Sequence, residues 1–369
     1  MPPEKKSETK YREIADTLDR EIREGRIPEG RPFSSENELA QRFSVSRVTV
    51  RQALSLLEQN GLIQRRQGKG TFVREEPRRY KEPGYNRIGI ITSAQNGHVF
   101  DAIVSGAVRV LTAGNIQVQV MRSRERMSSK RECLVQMLSA GVDGLIIEGM
   151  HTALPNPNAD IYREIESHGL PVVFTNSYHP DVHAAHVTAN DREAVAGLLD
   201  HLASLGHTRI GGVFSMNQLQ GLWRYQGFLD GLSRNRLEYV DERILFTSMN
   251  ELQLLFDQRF NAAREKLEEC TAMVCFNDEI ARFLEATLLR SGIRVPESIS
   301  VTGVDHILYQ APTGSILTTA AHPKEEMGAS AARLVLQMLA TGRDAENVEL
   351  RMPFIQGSTT SPPERLQIS

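Results

Sequence analysis

Cysteine is scarce in this sequence, and long apolar runs are missing. The chain of 369 residues holds only three cysteines, which are scattered along it. An odd, scattered set argues against a framework of disulfide bonds and fits a reducing compartment. No segment approaches the ~20 apolar residues that a membrane-spanning helix needs, and the N-terminus lacks the apolar core of a secretory signal. We therefore expect a cytoplasmic protein without membrane contact.

Residue combinations typical of enzymes and metal sites are also missing. No Ser/His/Asp or Cys/His set stands out as a catalytic group. The spacing of His179, His183 and His186 would suit the face of a metal-binding helix, but Pro180 indicates a loop. The turn at 67–70 contains Gly-Lys-Gly without the longer glycine spacing of a phosphate-binding loop. We expect no enzyme, no cofactor and no metal ion.

Length, composition and charge indicate a soluble protein of more than one domain. Hydrophobic residues make up 40% and charged residues 24% of the chain, values typical of globular proteins. A length of 369 residues predicts two or three domains. The net charge is −3, yet residues 41–74 hold seven lysines and arginines against one acid, Glu58. Such a surface suits contact with nucleic-acid phosphates; the alternative is a solvated basic face without function.

The segment 44–73 predicts a DNA-recognition helix followed by a basic β-hairpin. Ser46 is a typical helix start, and Arg47 and Arg51 are four residues apart, so they share one helix face. A glycine ends the helix, and two short strands flank a tight turn at 67–70 that carries a cation. Apolar residues recur at helical spacing on another face, which predicts their burial: they are Val50, Ala53, Leu54 and Leu57.

The residues before this segment predict two further helices. Apolar residues at helical spacing mark the first between Tyr11 and Ile22, and Ser35 followed by Glu38 is a capping box that begins the second. Residues 1–9 are polar, and we expect them to be disordered. Three helices and a two-stranded wing describe a winged helix-turn-helix domain at 10–75, whose third helix would enter the major groove.

The pattern changes after a linker-like stretch at 76–86, which contains prolines, a glycine and several charges. From residue 87 onward, short β-rich runs alternate with helical stretches, which indicates βαβ units and parallel sheets with helices on both faces. Roughly 270 residues exceed one comfortable sheet domain. We therefore expect an α/β domain of two similar lobes with two parallel sheets at 87–360, and a tail at 361–369.

Residues 10–74 resemble the winged helix of GntR-type regulators. The resemblance rests on Ser35-Glu-Asn-Glu-Leu, Val45-Ser-Arg-Val-Thr-Val-Arg and Gly68-Lys-Gly-Thr-Phe-Val. Of the cations it points to, Arg47 has the planar fork that pairs with guanine, whereas Lys69 can act only as a point charge. The resemblance implies three kinds of contact. Asn37 and Ser46 would hold the DNA backbone, and bases and phosphates would be approached by Arg47, Thr49 and Arg51. The minor groove would be contacted by Gln67, Gly68 and Lys69. For Thr49 an ordinary place on the helix surface is the alternative.

Residues 87–360 resemble the effector domain of LacI/GalR-type regulators, which is itself similar to periplasmic sugar-binding proteins. The matching pieces include Leu205-Gly-His-Thr-Arg-Ile, Arg224-Tyr-Gln-Gly-Phe and Phe276-Asn-Asp-Glu-Ile-Ala. Together with a GntR-type head, this architecture is similar to the arabinose-repressor group. The resemblance implies a cleft between the lobes whose polar side chains suit hydroxyl groups and whose aromatic ring suits the apolar face of a sugar: Phe100, Asn176, Arg224, Asn277 and Asp305.

Other interpretations stay open for some residues of this cleft. Arg224 and Asp305 could form a structural ion pair across it. Asp278 opens a helix together with Asn277, and we interpret Asp278 as a cap rather than a ligand contact. Trp223, the single tryptophan, is predicted to belong to the core.

The two resemblances imply a homodimeric repressor that binds a near-palindromic operator in double-stranded DNA and responds to a small metabolite, in the first place a monosaccharide. Operator symmetry would mirror the symmetry of the dimer. The alternatives are an activator or a corepressor-dependent regulator with a phosphorylated sugar or a non-sugar effector. Further alternatives are a sugar-binding protein without a regulatory role and a pyridoxal-phosphate enzyme fused to a GntR-type head.

Overall fold

The computed structural model of the chain divides into two units, Met1–Gly84 and Tyr85–Ser369. The stretch predicted as a linker, 76–86, lies outside the described residues. The structure describes residues 5–23, 27, 33–59, 63–66, 70–73, 87–93, 98–124, 126–247, 269–307 and 314–364.

The first unit contains three helices and a β-hairpin within its described residues. The strands pair antiparallel, with Ile63 opposite Val73 and Arg66 opposite Gly70. The predicted elements of a winged helix-turn-helix are therefore confirmed. The elements are α1 (Lys5–Arg23), α2 (Glu36–Arg42), α3 (Arg47–Gln59), β1 (Ile63–Arg66) and β2 (Gly70–Val73).

The start of α1 corrects one prediction. The sequence predicts disorder over residues 1–9, but α1 begins at Lys5, so that prediction is wrong from Lys5 onward. Lysine and glutamate are good helix formers, and they continue a helix that burial of Ile14 and Leu18 holds in place further along the chain.

The apolar faces of the three helices form the core of the first unit. Leu18 of α1, Leu39 of α2 and Leu54 of α3 are buried together, and the predicted apolar stripe of α3 lies wholly within this cluster. The predicted capping box is confirmed. The hydroxyl oxygen of Ser35 accepts from the Glu38 N–H at 3.3 Å, and the Glu38 carboxylate accepts from the Ser35 N–H at 2.8 Å. The cap fixes where α2 begins.

The second unit contains two six-stranded sheets with helices packed on them. The strand order is β13-β7-β6-β5-β3-β4 in one sheet and β14-β12-β11-β10-β8-β9 in the other. All pairs are parallel except β14, which pairs antiparallel with β12. The elements are β3 (Arg87–Thr92), α4 (His98–Ala113), β4 (Gln117–Arg122), α5 (Met127–Ser139), β5 (Gly144–Glu148), α6 (Ala159–Ser167), β6 (Val172–Thr175), β7 (Ala185–Ala189), α7 (Asp191–Ser204), β8 (Ile210–Ser215), α8 (Leu219–Arg234), β9 (Ile244–Thr247), β10 (Ala272–Cys275), α9 (Asp278–Arg290), β11 (Ser300–Val304), β12 (Thr318–Ala320), α10 (Lys324–Thr341), β13 (Val348–Leu350) and β14 (Phe354–Ile355).

The chain passes between the two sheets three times, near Asn190, at 321–323 and at 351–353. We call the part built on β3 to β7, α10 and β13 the first lobe, and the part built on β8 to β12 and β14 the second lobe. Backbone hydrogen bonds join the crossing segments, from Asn190 N–H to the Leu350 carbonyl and from Ala321 N–H to the Pro353 carbonyl, both at 2.8 Å. The predicted arrangement of two lobes with parallel sheets is confirmed, apart from the antiparallel edge strand.

Two glycines allow α4 and α10 to pack closely in the first lobe. A Cβ atom on Gly106 of α4 would lie 2.0 Å from the Glu325 carbonyl oxygen, and one on Gly328 of α10 would lie 1.8 Å from the Ile103 carbonyl oxygen. Any side chain at either position would force the helices apart. This contact holds α10, which comes late in the sequence, within the first lobe.

Parallel strands place the residues that follow them at one edge of each sheet, where ligands of α/β proteins usually bind. In the first lobe, this edge carries Thr92, Glu148 and Asn176; in the second, it carries Phe276 and Asp305. Among the described helices, none is long and apolar enough to cross a membrane.

Candidate nucleic-acid interface and ligand cleft

The N-terminal part of α3 presents charged and apolar side chains to solvent. Arg47 and Arg51 are exposed, and Val48 between them is 63% exposed, the largest value among the exposed large hydrophobic residues that are described. Ser46 caps the helix, because its hydroxyl oxygen accepts from the Thr49 N–H at 3.2 Å. The predicted helix start is confirmed, and its cap leaves both arginines at the surface.

Glu36 at the start of α2 faces both arginines. Its carboxylate accepts two hydrogen bonds from the Arg51 guanidinium, at 3.2 and 2.9 Å, and lies 3.8 Å from Arg47. The hydrogen bond with Glu36 raises the pKa of Arg51. Exposed ion pairs of this kind contribute little to stability, so a phosphate could replace the carboxylate at little cost. Sequence patterns did not single out Glu36, which lies 15 residues before Arg51.

The remaining residues of the predicted interface divide into two groups. Asn37 is exposed in the first turn of α2, beside Glu36, and Thr49 is half-buried with its hydroxyl 2.9 Å from that of Ser46. The structure thus brings the start of α2 and the start of α3 to one surface. The three residues of the hairpin tip lie outside the described residues: Gln67, Gly68 and Lys69.

Arg224 lies between two carboxylates at the carboxyl-end edge of the second lobe's sheet. Its guanidinium donates to Asp191 at 2.6 Å, to Asp305 at 3.1 Å and to the Phe276 carbonyl at 2.6 Å. The side chains of Arg224, Asp191 and Asp305 are 3%, 1% and 10% exposed. The structure therefore shows a buried ion pair of Arg224 and Asp305, but within the second lobe rather than across the cleft as that alternative had it, and it adds Asp191, which sequence reasoning missed.

Burial dominates the electrostatics of this group. It raises the pKa of Asp191 to about 6, against the opposing effect of Arg224. Burial also raises the pKa of Asp305. The Arg224 guanidinium lies 4.6 Å from the centre of the Phe276 ring, which offers it the negative face of the aromatic system. The arginine thus makes three hydrogen bonds to groups of its own lobe.

The cap role expected for Asp278 is corrected. Asn277 is the N-cap of α9, because its side-chain oxygen accepts from the Ile280 N–H at 2.9 Å. Asp278 is the first helical residue and is not the cap. Its buried carboxylate accepts from the Ile307 N–H and the Thr319 hydroxyl, both at 2.7 Å. The reason is backbone geometry: Asn277 has the extended conformation that an N-cap requires.

Asn176 contacts one of the three segments that cross between the lobes. It is buried in a left-handed conformation with φ of 70°, which asparagine tolerates better than most residues. Its side-chain oxygen lies 3.0 Å from Nε2 of His322, in the crossing segment 321–323. Burial lowers the pKa of His322 to about 3, and the charges of Arg224 and Lys324 add to this effect. His322 is therefore neutral and donates this hydrogen bond.

Phe100 lies in the first turn of α4, half-buried against the core of the first lobe. With Thr92, Glu148 and Thr175 it lines a cavity at the carboxyl ends of the strands. Four of the five predicted cleft residues thus follow the carboxyl end of a strand or lie in the first turn of the following helix, and Arg224 lies in the second turn of α8. Among the five, a hydrogen bond joins Arg224 and Asp305.

A buried lysine and glutamate form a second polar cluster that sequence reasoning missed. Lys130 of α5 is fully buried and donates to the Glu148 backbone carbonyl at 2.5 Å. The Glu148 carboxylate accepts from the Thr92 hydroxyl and the Ser93 N–H, both at 2.7 Å, and from the Ser93 hydroxyl. Burial lowers the pKa of Lys130 to about 8 and raises that of Glu148. A signal existed, because Lys130 shares the helical spacing of the buried Cys133 and Met137.

Comparisons with known proteins find matches for both the head and the two-lobed part of the chain. Residues 10–73 match the bacterial regulatory proteins of the gntR family, and residues 199–360 match a periplasmic binding protein-like domain. The chain is 33% identical to the arabinose metabolism transcriptional repressor of Geobacillus stearothermophilus, over 89% of this chain and 91% of that protein. It is 32% identical to the protein of the same description from Halalkalibacterium halodurans, over 91% of each.

The fold also matches a solved structure of the Lac repressor dimer bound to operator and an anti-inducer. The TM-score is 0.65 at 21% identity, over 76% of this chain and 96% of that one. At this level of identity the comparison establishes the fold alone.

Removal of the buried arginine should destabilise the second unit strongly. We expect Arg224→Ala to lower the free energy of unfolding by about 3–5 kcal/mol, because two buried carboxylates lose their cation. The matched control is Arg192→Ala, which breaks the exposed pair with Asp230 and should cost much less. Urea unfolding of both variants measures the difference; equal losses would contradict the assignment.

The buried acid that holds the loop after β11 should make stability depend on pH. Burial, with the nearby charge of Asp305, raises the pKa of Asp278 to about 7 from an ordinary value of 3.8. The folded protein therefore holds this proton more tightly than the unfolded chain, and the contribution to stability falls as pH rises from about 4 to 7. Asp278→Asn should remove this component, so the wild type should gain stability relative to the variant on going from pH 8 to pH 5. A pH-independent difference in urea unfolding would contradict it.

Proposed function

We propose a function from one premise: this chain belongs to the family of the arabinose metabolism transcriptional repressors, which joins a gntR-type head to a periplasmic-binding-protein-like domain. It is a DNA-binding transcriptional regulator controlled by a small-molecule ligand, and it is not an enzyme. The observation that carries this conclusion is the likeness to a repressor over 89% of the chain, which includes both the head and the two lobes.

The proposed DNA contacts lie at the starts of α2 and α3 and at the hairpin tip. Arg47 and Arg51 are exposed on α3, and the Arg51 guanidinium donates to the carboxylate of Glu36 at this surface. On operator DNA, these arginines would contact base edges and phosphates in the major groove. The other proposed contacts are Asn37, Ser46, Thr49, Gln67, Gly68 and Lys69.

The proposed effector is a neutral monosaccharide, with arabinose as the first candidate because the two relatives are named for arabinose metabolism. The proposed ligand residues are Phe100, Asn176, Arg224, Asn277 and Asp305. Charge supports a neutral ligand over a phosphorylated one. The buried cations at the sheet edges are already engaged: Arg224 pairs with the carboxylates of Asp191 and Asp305, and Lys130 donates to the Glu148 backbone carbonyl within the field of the Glu148 carboxylate. A phosphate would have to compete with these acids.

Repression by a homodimer on a near-palindromic operator is the proposed mode of action. The Lac repressor of similar fold was solved as a dimer on its operator, and a two-fold dimer favours two symmetric half-sites. Binding of the sugar would favour one of two conformations of the lobes, and operator affinity would fall because both binding events depend on that one equilibrium. Activation or corepression by the ligand is the second candidate.

Substitutions in the head should separate base contacts from charge contacts. We expect Arg47→Ala to weaken operator binding and to relax discrimination by about 1–3 kcal/mol at one base pair, whereas Lys69→Ala should weaken binding evenly across sequences. Binding of operator and mutated operators at several salt concentrations measures both effects. The matched control is Arg20→Ala, which removes an exposed cation from α1. Unchanged base preference in Arg47→Ala would contradict the base contact proposed for Arg47.

Arabinose should lower operator affinity at fixed salt. The experiment measures operator binding with arabinose, with other monosaccharides and with sugar phosphates, and it follows thermal unfolding in parallel. A ligand at a hundred times its dissociation constant should stabilise the protein by about 2.7 kcal/mol. If a sugar phosphate acts and the neutral sugars do not, the effector class is wrong. If the ligand tightens operator binding instead, corepression replaces release.

A further inference from the structure

A loop of the first lobe reaches the second lobe after β5. The Thr152 hydroxyl oxygen accepts from the backbone N–H of Leu219 at 3.0 Å, and Thr152 is fully buried. Leu219 is the first residue of α8, and its own N-cap residue, Gln218, supplies no side-chain hydrogen bond to the helix. The first N–H groups of a helix lack partners within the helix. Here one of them is satisfied by a residue of the opposite lobe.

The base of this loop is fixed to the first lobe. The Thr152 hydroxyl also hydrogen-bonds the hydroxyl of Ser177, which follows the predicted ligand residue Asn176. A Cβ atom on Gly149 would lie 2.1 Å from the Ser177 carbonyl oxygen, so only glycine permits this approach. Thr152 therefore contacts both the segment that carries Asn176 and the helix that carries Arg224.

A second contact joins the lobes beside the first. The Ser215 hydroxyl donates to the side-chain oxygen of Asn217 at 2.9 Å, which orients the amide so that its nitrogen donates to Nδ1 of His151 at 3.2 Å. The backbone N–H of Ala153 donates to the Asn217 carbonyl at 3.4 Å. His151 has a left-handed backbone with φ of 52°. The loop therefore takes an unfavoured conformation and gains hydrogen bonds from the other lobe.

We propose that His151, Thr152, Asn217 and Leu219, here called the interlobe bridge, hold the lobes together as this structure shows them, an arrangement that ligand binding would favour, with Thr152 capping the N-terminus of α8 from the opposite lobe. When the lobes separate, α8 loses this cap. When they approach, the cap completes the first turn of the helix that carries Arg224. Thr152 is thus a positioning residue: it links closure to the buried ion pair without contacting the ligand. The effect on ligand affinity rests on the proposed function; the capping itself does not.

Hydrogen exchange tests the cap in the full-length protein without any ligand. Thr152→Val keeps the shape of the side chain but removes the acceptor, so the peptide spanning 216–224 should exchange faster than in the wild type. Thr152→Ser keeps the hydroxyl and should restore slow exchange. The internal control is the first turn of α9, which Asn277 caps within its own lobe, and its exchange should not change. Equal exchange of 216–224 in a folded Thr152→Val and the wild type would overturn the proposal.

Ligand binding tests the consequence for regulation. We expect Thr152→Val and Asn217→Ala each to raise the arabinose dissociation constant about fivefold, the loss of affinity that removal of one helix cap or of one hydrogen bond would cause. Operator affinity without arabinose should stay within twofold of the wild type. Trp223 is the single tryptophan, and the centre of its ring lies 6.0 Å from that of Tyr178 of the first lobe. Its fluorescence emission should therefore report closure of the lobes. Unchanged arabinose affinity in both variants would contradict the role in closure.

Different outcomes would contradict the proposed effector and the proposed cap on α8. If arabinose and other monosaccharides bind neither the wild type nor the variants, the proposed effector is wrong, while the exchange comparison still decides whether Thr152 caps α8. If the wild type binds arabinose and Thr152→Val exchanges slowly, the effector is right and the bridge is wrong.

Discussion

The second unit depends on one buried cation. Arg224 cannot be taken out of water without compensation, and its partners come from α7, from the end of β10 and from the end of β11. A single side chain therefore fixes the relative positions of three segments around α8. The same requirement explains why Asp305, with a left-handed φ of 109°, is held in place: its carboxylate is needed opposite the guanidinium.

Local patterns predicted the elements of this fold and much of its order. The capping box of Ser35, the apolar stripe of α3 and the alternation of strands and helices depend on residues that are neighbours along the chain. The partners at the sites could not be predicted in that way. Asp191 lies 33 residues before Arg224, and Glu148 lies 18 residues after Lys130. Their pairing depends on which strand ends the topology brings together, and no spacing rule contains that information.

The same distinction explains the corrected role of Asp278. Sequence alone cannot separate Asn277 from Asp278, since both types cap helices well. The tertiary structure decides, because Asp278 has the Ile307 N–H and the Thr319 hydroxyl within reach. In the head, the contact of Glu36 with Arg51 was not predicted, because an acidic residue in the first turn of a helix is an ordinary feature of sequence. Its two hydrogen bonds to Arg51 make it part of that surface.

The close contact of α4 and α10 has a mechanical consequence. Helices that meet backbone to backbone at Gly106 and Gly328 have no compressible layer of side chains between them. The first lobe should therefore rotate as one stiff body, and bending should concentrate in the three crossing segments. Because α10 starts one residue after Pro323, it acts as a lever arm attached at the pivot, and a small turn there displaces the far end of the lobe in proportion to its length.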